Sequence, residues 1–117
     1  MRLTEIEYND SLPVDGYGPG FFRIGGKVVE GAICLGPDGL TAWGGLEDVD
    51  TLLALVGKVD VLFVGMGAEI AHLPAALRQR LEAEGLAADP MGSPSACRTY
   101  NVLLSEGRRV AVAALPV

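Results

Sequence analysis

Val59-Asp60-Val61-Leu62-Phe63-Val64-Gly65-Met66-Gly67 is the stretch on which the fold turns. Val59–Val64 is mostly β-branched and aromatic, the composition of a short central strand buried on both faces. A Gly-Met-Gly turn follows at once. Downstream, Pro74 opens a helix whose Leu73, Leu77 and Leu81 recur at i, i+4 and i+8, and Gly85 stops it. Leu86–Asp89 reads as a short strand. Ser93-Pro94 announces a further helix, with Ala96, Tyr100, Leu103 and Leu104 on its inner face and Gly107 at its end. Arg109–Val117 supplies a closing strand. This β-α-β-α-β order implies an α/β layer with right-handed crossovers. Val59–Val64 and Arg109–Leu115 are expected in one sheet, with Leu77, Leu81, Tyr100 and Leu104 packed on it.

Upstream, Leu46–Val56 reads as a helix, because Val49, Leu52, Leu53 and Val56 form one apolar stripe. Glu47, Asp48 and Asp50 crowd its first turn, where the helix dipole favours them, and Gly57 follows as a cap. The first third of the chain is β-rich. Thr4, Ile6 and Tyr8 alternate with Glu5 and Glu7 as in a half-buried strand. Asn9–Gly20, punctuated by Pro13, Gly16, Gly18 and Pro19, reads as a loop. Phe21–Ile24 and Lys27–Leu35 flank Gly25-Gly26, which predicts a tight hairpin. Gly36-Pro37-Asp38-Gly39 turns the chain into Leu40–Trp43. The whole predicts one α/β domain over residues 1–117, a mixed sheet with helices plus an N-terminal β-hairpin layer.

Composition narrows the function. Fifteen Asp and Glu against nine Lys and Arg give a net charge of −6. That sign argues against a nucleic-acid partner and against anionic membrane surfaces. The two cysteines, Cys34 and Cys97, are far apart and form no CxxC pair, so free thiols in a reducing compartment are expected. The start, Met1-Arg2-Leu3-Thr4-Glu5-Ile6-Glu7, turns acidic and lacks the apolar run of a signal peptide. No apolar stretch reaches the length of a membrane span. A cytoplasmic location is the expectation. Half of the residues are hydrophobic, which is rich for 117 residues and points to apolar surface held for a protein partner or for self-association.

Two groups of residues are candidates for a site. Gly65-Met66-Gly67 sits where a dinucleotide-binding turn would, but the third glycine position is Ile70, so no cofactor is expected. Ser93 is placed to cap the following helix with Pro94 at its first position, leaving free N–H groups at the positive end of the dipole. With Arg98, and Thr99 more weakly, these predict a crevice for a small or phosphate-bearing anion at Gly65, Met66, Gly67, Ser93, Arg98 and Thr99. The second group is the glycine-rich loop carrying Tyr17 into Phe21 and Phe22, read as a partner contact. Cys97 near the helix start has no base beside it in sequence, and His72 has no ligand cluster around it, so neither a nucleophile nor a metal site is expected. No residue is assigned a catalytic role.

Tyr17-Gly-Pro-Gly-Phe-Phe-Arg-Ile-Gly-Gly26, Gly65-Met66-Gly67 and Ala96-Cys-Arg-Thr-Tyr-Asn-Val-Leu-Leu-Ser-Glu-Gly-Arg-Arg-Val110 together resemble the Mth-type domain-of-unknown-function family. That family includes the mitochondrial complex I assembly factor three and an adipogenesis-associated protein. The resemblance covers nearly the whole chain and implies a three-layer α/β fold around a central mixed sheet. It supplies no catalytic residues. It implies a non-catalytic interaction protein that assists assembly of a respiratory, complex I-like membrane complex. The alternative is the anion-binding protein of the preceding paragraph, with catalysis left open.

Overall fold

The computed structural model describes residues 11–117. The strand expected over Thr4–Tyr8 lies outside them. Strands β1 (Val14–Gly18), β2 (Phe21–Ile24) and β3 (Lys27–Glu30) form an antiparallel sheet in that order. The second sheet holds β4 (Ile33–Gly36), β5 (Gly39–Ala42), β6 (Val61–Met66), β7 (Ala87–Met91) and β8 (Val110–Leu115), ordered β5-β4-β8-β6-β7. β6 runs parallel to both β7 and β8, whereas β4 runs antiparallel to β8 and β5. The sheet is therefore mixed, as expected. The helices are α1 (Val49–Leu53), α2 (Ala75–Ala83) and α3 (Ser93–Ser105).

Side-chain alternation along the central strands splits the interior into two cores. Cys34 of β4, Leu62 and Val64 of β6, and Ala111 and Ala113 of β8 face Leu52, Leu77 and Leu81 of α1 and α2. Ile33, Leu35, Phe63, Val110, Val112 and Ala114 point the other way, onto Ala96, Cys97 and Tyr100 of α3 and onto Phe22 and Ile24 of β2. The period of two in a strand makes this separation automatic. The result is three layers: α1 and α2, the mixed sheet, then α3 with the small sheet. The expected partners of β6 and β8 are all in place, with Leu104 packed at the margin of the second core.

Several boundaries differ from the sequence reading, each for a physical reason. The loop expected up to Gly20 contains β1. Its glycines allow close packing as well as turning: a Cβ on Gly18 would sit 2.5 Å from the Phe21 ring. The run Lys27–Leu35 breaks at Gly31, whose φ of +85° lets the chain cross from the small sheet into the large one. The helix read over Leu46–Val56 contracts to Val49–Leu53. Asp48 sets its start by accepting from Thr51 N–H at 3.3 Å and Thr51 O–H at 2.6 Å. Its end tightens into bonds from Leu55 N–H to Leu52 O and from Val56 N–H to Leu53 O. The strand read at Val59–Val64 is shifted to Val61–Met66. The one read at Leu86–Asp89 runs on to Met91, because an edge strand tolerates Pro90, which has no N–H to pair.

Cys34 and Cys97 are both buried and unbridged, and the central sheet stands between them. Burial pushes each thiol up to about 11.

Two outcomes follow from this packing. Leu62→Ala, at a fully buried position between β8 and the helices, should lower unfolding free energy by about 2–5 kcal/mol, against within about 0.5 kcal/mol for Val28→Ala on the exposed small sheet. Urea denaturation checks both. The thiols are neutral in the native state at neutral pH, so they should resist iodoacetamide until the chain unfolds. Because their folded pKa lies above the unfolded value near 9.0, their stabilisation is complete below that value and disappears as pH rises from about 9 to about 11. The loss should be roughly 2 kcal/mol per thiol, read from denaturation at stepped pH and abolished in a double Cys→Ala variant.

Candidate functional site

The carboxyl end of β6 meets the start of α3 at very short range. A Cβ on Gly65 would stand 2.6 Å from Ser93 Oγ and 2.8 Å from Ser93 Cα, so only glycine fits there. Ser93 is 1% exposed. Its Oγ accepts from Gly67 N–H at 2.9 Å and donates to Leu115 O at 2.5 Å, while its own N–H donates to Gly67 O at 2.7 Å. Gly92 occupies the N-cap position and Ser93 is the first residue of the helix, so the expectation that Ser93 caps α3 is corrected. The hydroxyl turns inward to satisfy two strand ends instead of its own helix.

These bonds close the junction where an anion crevice was expected. Gly65 and Gly67 are buried, Met66 packs partly into the core beside α1 and α2, and the Gly67 amide is occupied by Ser93. Thr99 Oγ1 lies 3.8 Å from Met91 Sδ. Arg98 is exposed on the far side of the first turn of α3. Of the six residues, the structure joins Gly65, Gly67 and Ser93 into one buried knot and leaves Arg98 outside it.

Two helical turns beyond Ser93, α3 grips β1 and the residues leading into it. Tyr100 is fully buried and its hydroxyl donates to Leu12 O at 2.7 Å. Burial raises the pKa of that hydroxyl, so it remains a donor. Asn101 uses both ends of its amide on one residue: Oδ1 accepts from Val14 N–H at 2.8 Å and Nδ2 donates to Val14 O at 2.8 Å. A side-chain amide thus takes the place of a neighbouring strand. Sequence reasoning missed this role. The available signal was an asparagine in the middle of a helix, where its intrinsic preference is poor.

Between β1 and α3 lies a groove of about 210 Å³ lined by Val14, Asp15, Gly16, Tyr17, Pro94, Cys97, Arg98 and Asn101. Two residues that the sequence assigned to separate sites, Tyr17 and Arg98, share it. Phe21 and Phe22 do not. Phe22 is 1% exposed and belongs to the core, and the Phe21 ring covers Gly18. Of the three aromatics expected at a partner contact, Tyr17 is the exposed one, at 47%. Asp15 turns its carboxylate toward the hairpin, accepting from Gly26 N–H at 3.1 Å. Among the described residues the ion pairs are Lys58–Asp38 and Arg109–Asp60, and neither involves Arg98. A wider groove of about 620 Å³ lies in the opposite layer, between Leu46–Val49 and α2, with Glu47 and Arg80 on its walls. Among the described residues no three His, Cys, Asp or Glu side chains come together as metal ligands, and no helix is long and apolar enough to cross a membrane.

The grip on β1 can be measured directly. Asn101→Ala leaves a partly buried N–H and C=O of Val14 unpaired and should cost about 1–3 kcal/mol of stability. Tyr100→Phe, which removes one hydrogen bond and keeps the packing, should cost about 1 kcal/mol. Hydrogen exchange at the Val14 amide should rise in the first variant well beyond the global destabilisation.

Comparison with known proteins gives a consistent result. Residues 14–115 match the family described as protein of unknown function (DUF498/DUF598). An uncharacterized protein of Rhodobacter capsulatus is 55% identical over 117 residues, spanning all of this chain and 94% of that one. The NADH dehydrogenase [ubiquinone] 1 alpha subcomplex assembly factor 3 of Danio rerio is 31% identical over 123 residues, spanning 99% of this chain and 71% of the relative. A crystal structure described as an outer membrane protein from Bartonella henselae superposes with a TM-score of 0.86 at 34% identity, over 94% of this chain and 98% of that one. A Mth938-like domain from Bordetella pertussis superposes with a TM-score of 0.74 at 27% identity, over 90% and 85% of the two chains. With its β1-to-β8 body matched end to end, the chain belongs to the DUF498/DUF598 family of Mth938-like domains.

Proposed function

We propose that this protein is an interaction module that assists assembly of a respiratory, complex I-like membrane complex, and that it docks through the face formed by β1 and the first turns of α3. The observation that carries the reading is the convergence of Tyr17 and Arg98 on one groove. Tyrosine and arginine are the residue types over-represented where binding energy concentrates in protein interfaces. The groove is smaller than most substrate pockets, its Cys97 is buried and neutral, and its one carboxylate, Asp15, is engaged by Gly26 N–H. Similarity to assembly factors named for NADH dehydrogenase supplies the class of partner.

Val102, 50% exposed and one turn beyond Arg98, extends the same face with an apolar contact. Electrostatics fits a selective partner. An acidic chain repels most acidic proteins, and an uncovered arginine provides a local exception.

The test is genetic and biochemical. In cells lacking the chain, the amount of assembled NADH dehydrogenase complex on native gels should fall. Wild type should restore it, and Arg98→Glu should not, although its melting temperature matches wild type because the side chain is exposed. Undiminished assembly in the deletion strain would overturn the reading.

A further inference from the structure

We infer that the β1–α3 groove receives an extended polypeptide segment by strand addition to the outer edge of β1, which pairs with no other strand among the described residues, with a carboxylate side chain of that segment held by Arg98. The inference rests on the interaction-module reading and specifies how and what the module binds.

The backbone parity of the small sheet supports the mode. Pro19-Gly20 is a two-residue turn between the paired residues Gly18 and Phe21, and Gly31 N–H donates to Gly20 O at 3.0 Å. In an antiparallel ladder, successive residues turn their N–H and C=O groups to opposite sides. Phe22 and Ile24 thus face β3, while Phe21 and Arg23 face Gly18 and Gly16 of β1. Tyr17, between those glycines, directs its N–H and C=O away from β2 and toward the groove. The register shift between Val14 and Gly16 turns Val14 to the same outer edge. Its two groups are the ones held by Asn101. Asn101 thus forms the first rung of a ladder, and Tyr17 offers the next, which no recorded hydrogen bond among the described residues occupies.

The groove's composition fits such a guest. Gly16, next to Tyr17 on the groove wall, has no side chain to obstruct an approaching backbone, and the space beside it is open. The opposite wall is a helix, as in other strand-addition sites where one partner element is an edge and the other a cover. Arg98 is the cation on that wall, and the one carboxylate lining the groove, Asp15, is engaged by Gly26. A short segment is implied, since the groove's volume accommodates only a few residues.

The experiment uses a phage-displayed library of random linear peptides selected against the whole chain. Enriched peptides should share Asp or Glu at one position. Synthesised and titrated by fluorescence anisotropy, they should bind R98E about tenfold or more weakly, the size of one lost charge-assisted hydrogen bond. Replacing the shared acid with Lys should recover binding to R98E. Against wild-type protein, methylating one backbone nitrogen of the peptide should weaken binding about tenfold or more, while methylating its immediate neighbour should not. Failure to enrich any sequence, an enriched set without a fixed acid, or tolerance of N-methylation at every position would each refute strand addition. The two readings separate cleanly. Lost assembly in the deletion strain without peptide binding would retain the module and refute the mode. Peptide binding with normal assembly would do the reverse.

Discussion

The placement of the groove depends on the contact between Gly65 and Ser93. A helix normally stands off a sheet by the thickness of its side chains, but here the Cα of Ser93 lies only 2.8 Å from where a Gly65 Cβ would be. Such proximity brings backbone polar groups together out of water, and each needs a partner. Ser93 supplies them: one hydroxyl serves the ends of β6 and β8, and the serine amide serves Gly67. Aromatic residues and cysteines aside, it is the one buried polar side chain among the described residues, and it is satisfied as donor and acceptor. Replacing it with an apolar residue would leave strand ends unpaired, and replacing Gly65 would push the helix away. The rotational setting of α3 follows. Ala96 and Cys97 come inward after one turn, Tyr100 after two, and Asn101 arrives beside β1.

This order of dependence also explains why the small sheet stays attached. Its inward side chains are few, chiefly Val14, Phe22 and Ile24, and an isolated three-stranded meander of such short strands is marginal in water. Hydrogen bonds from Tyr100 and Asn101 add a directional tie where the apolar contact is thin. A side-chain amide is suited to the task because it carries the same donor and acceptor as a peptide group, so it completes an edge without extending the sheet. It ends the ladder at Val14, no other strand among the described residues pairs with the edge at Tyr17, and the groove lies between that edge and the first turns of α3.

The elements beyond Gly57 were legible because their signals were redundant. Leucine spacing, proline at helix starts and β-branched runs all agreed, so β6, α2, α3 and β8 came out in the right order with ends displaced by a few residues. The first third was less legible. Its glycines signal turns in sequence, yet Gly16 and Gly18 lie within a strand where they permit ring stacking and close approach, a distinction set by neighbours remote in sequence. Gly31 was hidden inside an apolar run that two sheets share. At the candidate site, Tyr17 and Arg98 line one groove while Gly65, Gly67 and Ser93 meet in the interior, a grouping set by contacts remote in sequence. Ser93-Pro94 has the pattern of a capping pair, and nothing local tells a serine hydroxyl to turn toward strand ends that close only when residues 65, 93 and 115 meet. The proximity of Tyr17 to Arg98 likewise spans most of the chain.

Five consecutive residues of α3 divide by what each one does. In Cys97-Arg98-Thr99-Tyr100-Asn101, Cys97 fills the core, Thr99 leans on Met91, Tyr100 fills the core and holds Leu12, and Asn101 holds Val14. Packing and hydrogen bonding within the fold account for those four. Arg98 is exposed, forms no ion pair among the described residues and stabilises nothing visible in the monomer. A long cationic side chain without an ion-pair partner among the described residues of a net acidic protein is not explained by solubility, since acidic groups serve that purpose better. It stands across the groove from the outer edge of β1, where the helix fixes its Cα and the clamp at Asn101 fixes the edge. The four inward residues therefore set the geometry in which the fifth can act.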